Sequence, residues 1–365
     1  MSKWLTVGIP AYKAEDHICD ALASIQTQTI VDEVSIIIAK DNPSDDYEFV
    51  KERFPDLDIT ILDCDKNTGP GLARQRCADA CETEWITWMD ADDVLFTVFS
   101  LEYLKGGINK DVVEVQGIFY QEITDHPKGV RTVPRNDLFH PWIFGRMYRL
   151  EFLKKNDIKF SELRAMEDGE FNWKIRMTVD GTPLKINVIE APIYLWRTGS
   201  EHSITRIGID DKGIAQYNFD LCQWGATVAA INAIKFVRKK NPFQGALIRF
   251  ATEIMIGQYF TYVECLAKKP VFAEQNFFNA KRFYHECYQQ IEPLIEDDVL
   301  KKMYTVQLTG KAADLIDIIP EITFFDFMER VRTEEYGGDE EFDKIRKSLP
   351  EEIIENDKKT GVAMY

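Results

Sequence analysis

The first quarter of the chain alternates short apolar runs with amphipathic stretches, and no other feature restricts its fold as strongly. Trp4–Ile9, Val34–Ala39, Ile59–Leu62 and Trp85–Met89 are rich in β-branched and aromatic residues and read as strands. Between them, approximately Asp16–Gln28, Asp46–Arg53 and Pro70–Cys81 carry helical periodicity. The last of these has its proline in the first turn, where a missing N–H is harmless. Strands separated by helices of this length pair in parallel, and helices cover both faces of the resulting buried sheet. Such sheets bind ligands beyond the carboxyl ends of their strands. Those ends read Pro10-Ala11-Tyr12, Lys40-Asp41-Asn42, Asp63-Cys64-Asp65 and Asp90-Ala91-Asp92-Asp93, so polar and acidic groups gather along one edge.

The remaining residues change character twice. Residues 111–206 mix short strands with a loop at His140-Pro141-Trp142 and helices over Arg149–Asn156 and Glu167–Val179. Beyond Ile209 long helical patterns dominate, over Tyr217–Lys239, Ala246–Lys268 and Phe272–Ile291, and the last thirty or so residues are strongly charged. A length of 365 residues suits two or three domains at roughly 150 residues each. The expected division is a catalytic domain over 1–208 with halves 1–95 and 96–208, a helical region over 209–335, and a charged tail over 336–365.

The net charge of −17 disfavours generic binding to nucleic acid or anionic membranes, which depends on Lys and Arg neutralising phosphates. No stretch approaches the roughly 20 apolar residues of a membrane-spanning helix, and the first residues read as a strand instead of a secretory signal. The expected location is the cytoplasm. Seven cysteines, odd in number and without a CxxC, read as free thiols; Cys77 and Cys81 lack a second ligand pair for metal.

Several short segments carry chemistry. Asp90, Asp92 and Asp93 repel one another unless a positive group sits among them, and hard divalent cations take such oxygens together with phosphate and water. The plain alternative is an acidic turn capping the next helix; the position at a strand end favours the metal. Glu167-Asp168 opens a helix, which complements the helix dipole, and the same carboxylates are candidates for a general base. Asn67-Thr68-Gly69-Pro70-Gly71-Leu72-Ala73-Arg74 is a glycine-rich turn that matches neither a dinucleotide fingerprint nor a P-loop. Arg74 is either a phosphate or base contact, or an ordinary surface arginine. Tyr194-Leu195-Trp196-Arg197 and the nearby His202 combine groups suited to sugar stacking, diphosphate contact and metal ligation.

In order, these segments resemble glycosyltransferase family 2, a group of inverting enzymes with the GT-A fold. Val7-Gly8-Ile9-Pro10-Ala11-Tyr12-Lys13 is similar to the family's opening strand and turn, and Ser24-Ile25-Gln26-Thr27-Gln28-Thr29 to its first helix. Ile36 to Asp45 is similar to the segment that usually carries an Asp pair, with Lys40 in place of the first Asp. Asn67 to Arg74, Trp85 to Asp93, Met147 to Phe160 followed by Glu167-Asp168, and Tyr194 to Thr205 complete the series, which covers about residues 3–206. The resemblance implies a Rossmann-like, mainly parallel central sheet flanked by helices, with a mostly helical C-terminal region.

It also implies a metal-dependent transfer, with inversion, of a hexose or N-acetylhexosamine from a UDP-sugar to an acceptor hydroxyl. Asp168 would be the base, with Glu167 beside it. Pro10, Ala11, Tyr12, Glu15, Asp41, Gly69, Arg74, Asp90, Ala91 and Arg197 would meet the donor. Asp92, Asp93 and His202 would hold Mn²⁺ or Mg²⁺, and Trp142 and Trp196 would face the acceptor, a carbohydrate or other hydroxyl compound. The helical region is a candidate surface for a homo-oligomer. Two other readings compete: a nucleotidyltransferase of sugar phosphates, and an inactive nucleotide- or sugar-binding module.

Overall fold

The structure, a computed structural model, describes residues 3–125, 129–135, 141–197 and 214–239 together with a few isolated residues further on. The chain divides into two compact units, 1–203 and 204–365.

The first unit is built on strands β1 (Leu5–Ala11), β2 (Val34–Lys40), β3 (Ile59–Leu62) and β4 (Trp85–Trp88). They pair in parallel in the order β3-β2-β1-β4. Helices α1 (Ile18–Gln26), α2 (Phe49–Arg53) and α3 (Pro70–Ala80) form the crossovers. Leu5, Val7 and Ile9 alternate with Thr6 and Gly8 along β1, and both sets are buried, as a central strand covered on both faces requires.

The sheet then becomes mixed. Its later strands are β5 (Val94–Leu95), β6 (Val112–Asp125), β7 (Gly129–Arg135), β8 (Arg146–Arg149) and β9 (Lys185–Trp196). β8 joins β4 and β6 by antiparallel pairing, β6 and β9 run parallel, and the full path is β3-β2-β1-β4-β8-β6-β9-β5 with β7 paired to β6. Helices α4 (Ser100–Gly106), α5 (Leu150–Asn156) and α6 (Glu167–Val179) complete the unit. The parallel pairing expected from the sequence thus runs through the first four strands and recurs between β6 and β9, with the antiparallel β8 between the two parts. The expected helices of this unit are present, with α2 starting later than Asp46 because Asp45 and Asp46 are engaged in turn hydrogen bonds.

Of the second unit, the described part is α7 (Ile214–Arg238), which fits the pattern read at Tyr217–Lys239. The patterns at Ala246–Lys268 and Phe272–Ile291 and the charged tail lie outside the described residues. Among the described residues no helix is long and apolar enough to cross a membrane. Cys77 and Cys81 are buried free thiols, and burial pushes the Cys77 thiol up to about 12.

An aromatic cluster locks the helices onto the sheet. Trp88 packs edge-on against Phe160 at 5.0 Å and Phe171 at 5.4 Å, and those two rings stack at 4.1 Å. Gly8 makes this closure possible. A Cβ there would stand 2.8 Å from Cys77 Cβ and 2.9 Å from Trp88 Cδ1. Overpacking of this kind typically destabilises by about 1–3 kcal/mol. Gly8→Ala is therefore expected to lower the unfolding free energy read from urea titration by about 1–3 kcal/mol, and an unchanged value would show that α3 moves away freely.

Candidate functional site

The carboxyl ends of β1, β2 and β4 and the first turn of α6 build one site. Asp41, just beyond β2, is buried, and its carboxylate accepts three hydrogen bonds. The donors are Thr68 N at 2.7 Å, Thr68 Oγ1 at 3.0 Å and Gly69 N at 2.9 Å. These bonds hold the turn into α3 in a conformation that only glycine tolerates well, since Gly69 has φ of +87°. Asp41 therefore fixes the turn that leads into α3. Lys40, where an Asp was the expectation, pairs with Asp63 at 2.9 Å.

The turn after β1 is fastened to the turn after β2. Lys13 N–H donates to Asp45 Oδ2 at 2.6 Å, Ala14 N–H donates to the Tyr47 hydroxyl at 3.0 Å, and Tyr47 donates in turn to Asp45. Lys13 sits at φ of +49°, uncommon for a residue with a long side chain. Pro10 is half-buried and Ala11 buried, whereas Tyr12 and Glu15 are exposed along this rim.

Beyond β4, Asp90, Asp92 and Asp93 present one ligand atom each within 4.8 Å of one another. Ala91 is buried between them. Asp93 is buried too: the Tyr194 hydroxyl donates to its Oδ2 at 2.6 Å and the Arg197 N–H to its Oδ1 at 2.8 Å. The same hydroxyl accepts the Asp90 N–H at 3.0 Å, so Tyr194 ties the acidic turn to the end of β9. Burial, then the charges of Asp92 and Asp90, raise the Asp93 carboxyl well above the ordinary range. A cluster of oxygens in this electrostatic state suits a hard divalent cation. Arg197 reaches the cluster through its backbone, while its guanidinium pairs with Asp20 of α1 at 2.8 Å.

The turn before α6 brings Glu167 and Asp168 to the same place. Met166 adopts φ of +65° there, rare for a bulky side chain. Arg74 is the link between the two acidic groups. Its Nη2 lies 2.6 Å from Asp90 Oδ1, and its Nη1 bonds Glu167. It is not the surface arginine allowed by the sequence, because its side chain is buried. Burial alone would lower its pKa, but the charges of Asp90, Glu167 and Asp168 together raise it. Asp168 is pushed up to about 8, first by burial and then by the Glu167 charge, with Arg74 acting in the opposite direction.

Pro141 abuts α6. Asn172 Nδ2 donates to the Pro141 carbonyl at 2.6 Å, and Tyr148 donates to Asn172 Oδ1 at 2.8 Å. Trp142 meets Trp196 with ring centroids 6.1 Å apart, and Trp196 meets Phe144 at 5.6 Å. The two expected acceptor residues are thus neighbours. His202 lies outside the described residues. Sequence reasoning placed Tyr194 in a motif without a role and passed over Asp45 and Arg164; Arg164 bonds Asn67 at 2.5 Å beside the glycine-rich turn. Hydrogen bonds to residues distant in the chain are what distinguish these residues, and one-dimensional periodicity does not carry them.

Comparison with known proteins adds three results. Residues 6–162 match the model of the family described as glycosyl transferase family 2. Over 110 residues the chain is 33% identical to the teichoic acid poly(glycerol phosphate) polymerase of Staphylococcus epidermidis, and over 91 residues 30% identical to the succinoglycan biosynthesis protein ExoO of Rhizobium meliloti. These stretches are 29% and 25% of this chain and span only 15% and 26% of those relatives. The fold resembles that of S. aureus TarS residues 1–349, with a TM-score of 0.57 at 18% identity, covering 83% of this chain and 87% of that one. The TarS complex with UDP-GlcNAc gives 0.62 at 16% identity with the same coverage.

Removing the Tyr194 hydroxyl would leave a buried carboxylate and a backbone N–H each short of a partner, at about 1–3 kcal/mol. Tyr194→Phe is expected to lower the unfolding midpoint accordingly. Equal midpoints for the two proteins would mean that the acidic turn stands without this strut.

Proposed function

Since residues 6–162 form a glycosyl transferase family 2 domain on a GT-A fold, we propose that the protein transfers a sugar from a nucleotide-sugar donor to an acceptor hydroxyl, with Asp168 as general base. The observation that carries this reading is the convergence of the Asp90-Asp92-Asp93 cluster with Glu167-Asp168 through Arg74. The complex of TarS with UDP-GlcNAc supports a UDP-linked donor, and a hexose or N-acetylhexosamine fits that class.

The nucleoside would lie across the ends of β1 and β2, against Pro10, Tyr12 and the turn that Asp41 holds. Asp92 and Asp93 would hold Mn²⁺ or Mg²⁺, with Asp90 on the donor side of the cluster. A divalent cation there supplies neutralisation of the diphosphate and of the charge that develops as it leaves. Asp93 remains able to serve although both its oxygens accept hydrogen bonds, because each carboxylate oxygen has two lone pairs. Trp142 and Trp196, in contact with each other, would face the acceptor. Asp168 would take the proton of the attacking hydroxyl in a single displacement with inversion at the anomeric carbon.

A base has to be ionised to accept a proton. With the Asp168 carboxyl pushed up to about 8, turnover at low metal is expected to climb through that pH, and added Mn²⁺ is expected to move the limb downward by favouring the anion. A limb that stays near pH 4 at low metal would show that the Asp168 carboxyl is not raised in the working enzyme. The same shift has a consequence for stability. Above the unfolded carboxyl's ordinary range, the folded state either binds a proton or ionises Asp168 against its surroundings, an unfavourable contribution that grows until pH 8 is passed. Asp168→Asn removes that contribution, so this variant is expected to melt no lower than the parent at pH 8.

The direct test is hydrolysis of a panel of nucleotide sugars in the presence of Mn²⁺. Asp168→Asn is expected to lose about a hundred- to ten-thousand-fold of transfer while calorimetry shows UDP still bound. Full activity in Asp168→Asn would exclude it as the base, and a panel with no hydrolysed donor would point to a binding module.

A further inference from the structure

We propose that Arg74 is a positioning residue and not a donor contact: it clamps Asp90 at the end of β4 to Glu167 at the start of α6, and thereby sets where Asp168 stands against the donor. This inference rests on reading Asp168 as the base.

The geometry leaves the guanidinium committed. One Nη bonds Asp90 at 2.6 Å and the other bonds Glu167, so both prongs are occupied by carboxylates on different elements. The side chain is buried, and its Nε is enclosed without a hydrogen-bond partner. Swinging Arg74 toward a nucleotide would leave the buried Glu167 carboxylate without its ion pair and the part-exposed Asp90 without its partner, which disfavours the motion.

The backbone beneath it is equally fixed. Trp88 Nε1 donates to the Arg74 carbonyl at 3.1 Å, which seats this turn of α3 on β4. Gly71 lies one helical turn earlier, and residues three apart share a face. A Cβ on Gly71 would stand 2.6 Å from the Ser161 carbonyl and 2.9 Å from Glu167 Cγ, so the Glu167 side chain lies directly against α3. β4, α3 and α6 therefore meet at one guanidinium. Asp168 follows Glu167 on the first turn of α6, and its position follows from where Glu167 is held.

Lysine cannot reproduce this clamp, because an ammonium is a point charge without a planar fork. Displacement of a catalytic group by about 1 Å is enough for about a hundredfold loss of rate. The groups whose charges act on Asp168 are Glu167 on α6, Arg74 on α3 and Asp90 beyond β4.

The test uses the full chain with Arg74→Lys, Arg74→Met, Glu167→Gln and the Lys–Gln double variant, each checked by circular dichroism. Arg74→Lys and Glu167→Gln are each expected to lower kcat about a hundredfold. Calorimetric affinity for UDP is expected to stay within about threefold, since the lost interaction is not with the donor. The double variant is expected to be no slower than Arg74→Lys, because both changes open the same clamp. The acid limb of the rate is expected to move down in Glu167→Gln, which removes a negative neighbour of Asp168, and up in Arg74→Met, which removes a positive one. These opposite shifts would report that both charges act on the base; a lowered kcat with UDP affinity retained is what a merely structural role would not produce.

Loss of UDP binding in Arg74→Lys with kcat retained would overturn the inference in favour of a donor contact, and so would rate losses that multiply in the double variant. If the Arg74 variants do not fold, Glu167→Gln decides by its rate and the direction of its limb. An active parent with undiminished Arg74→Lys rejects the clamp alone. A parent with no turnover on any donor rejects the function on which the clamp depends.

Discussion

Negative charge crowded at the ends of a buried sheet is the constraint around which this domain is arranged. Asp90, Asp92, Asp93, Glu167 and Asp168 approach one another from two distant parts of the chain, and charge in poorly solvated surroundings is unfavourable unless paired or neutralised. The domain meets this demand with few groups. Arg74 bonds two of the carboxylates, the Tyr194 hydroxyl and the Arg197 N–H bond a third, and protonation is favoured where pairing is incomplete. Each solution depends on close packing of the layers behind it. Without Gly8 and Gly71, α3 would stand farther from β1 and α6, and Arg74 would not reach both partners.

The part of this arrangement that is local in sequence was legible. β2 and α6 begin where the apolar run and the acidic pair place them, and the acidic turn follows the fourth strand. Parallel strands buried on both faces are continuous apolar runs, so their ends stand out, and the sheet rule then directs attention to Asp41 and Asp90. What escaped was set by partners far away. Arg74 lies 16 residues from Asp90 and 93 from Glu167, and α3 is too weakly amphipathic to mark which of its arginines is buried. The hydrogen bonds of Asp41 likewise run to a turn 27 and 28 residues later. β6 and β9 escaped for a related reason. Their pairing is interrupted by register shifts at Gly117 and near Pro192, which blur the two-residue period of a regular strand.

The two sides of the site are held by different means. On the side proposed for the donor the groups sit on strand ends and helix starts braced by backbone hydrogen bonds: Asp41 to Thr68 and Gly69, Asp45 to Lys13, Tyr194 to Asp90. Such bracing suits recognition of a ligand with fixed geometry, because pre-organised groups lose little freedom on binding. On the other side the surfaces are aromatic, and Trp142, Phe144 and Trp196 meet through ring contacts.

The placement of those rings argues for a coupling between acceptor and base. Trp142 follows the residue whose carbonyl Asn172 holds, and Asn172 lies on the same helix as Asp168. Trp196 precedes the residue whose N–H holds Asp93. The two indoles therefore link the loop held by α6 to the strand end that holds the acidic turn, so these two parts of the site are joined by an aromatic contact as well as by the Arg74 ion bridge. On the proposed reading an acceptor that rests on these rings would press on both halves of the machinery at once. Binding energy from a part of the acceptor remote from its reacting hydroxyl would then be realised as alignment of Asp168 with the donor, the use of remote binding by which a transferase raises turnover as well as affinity.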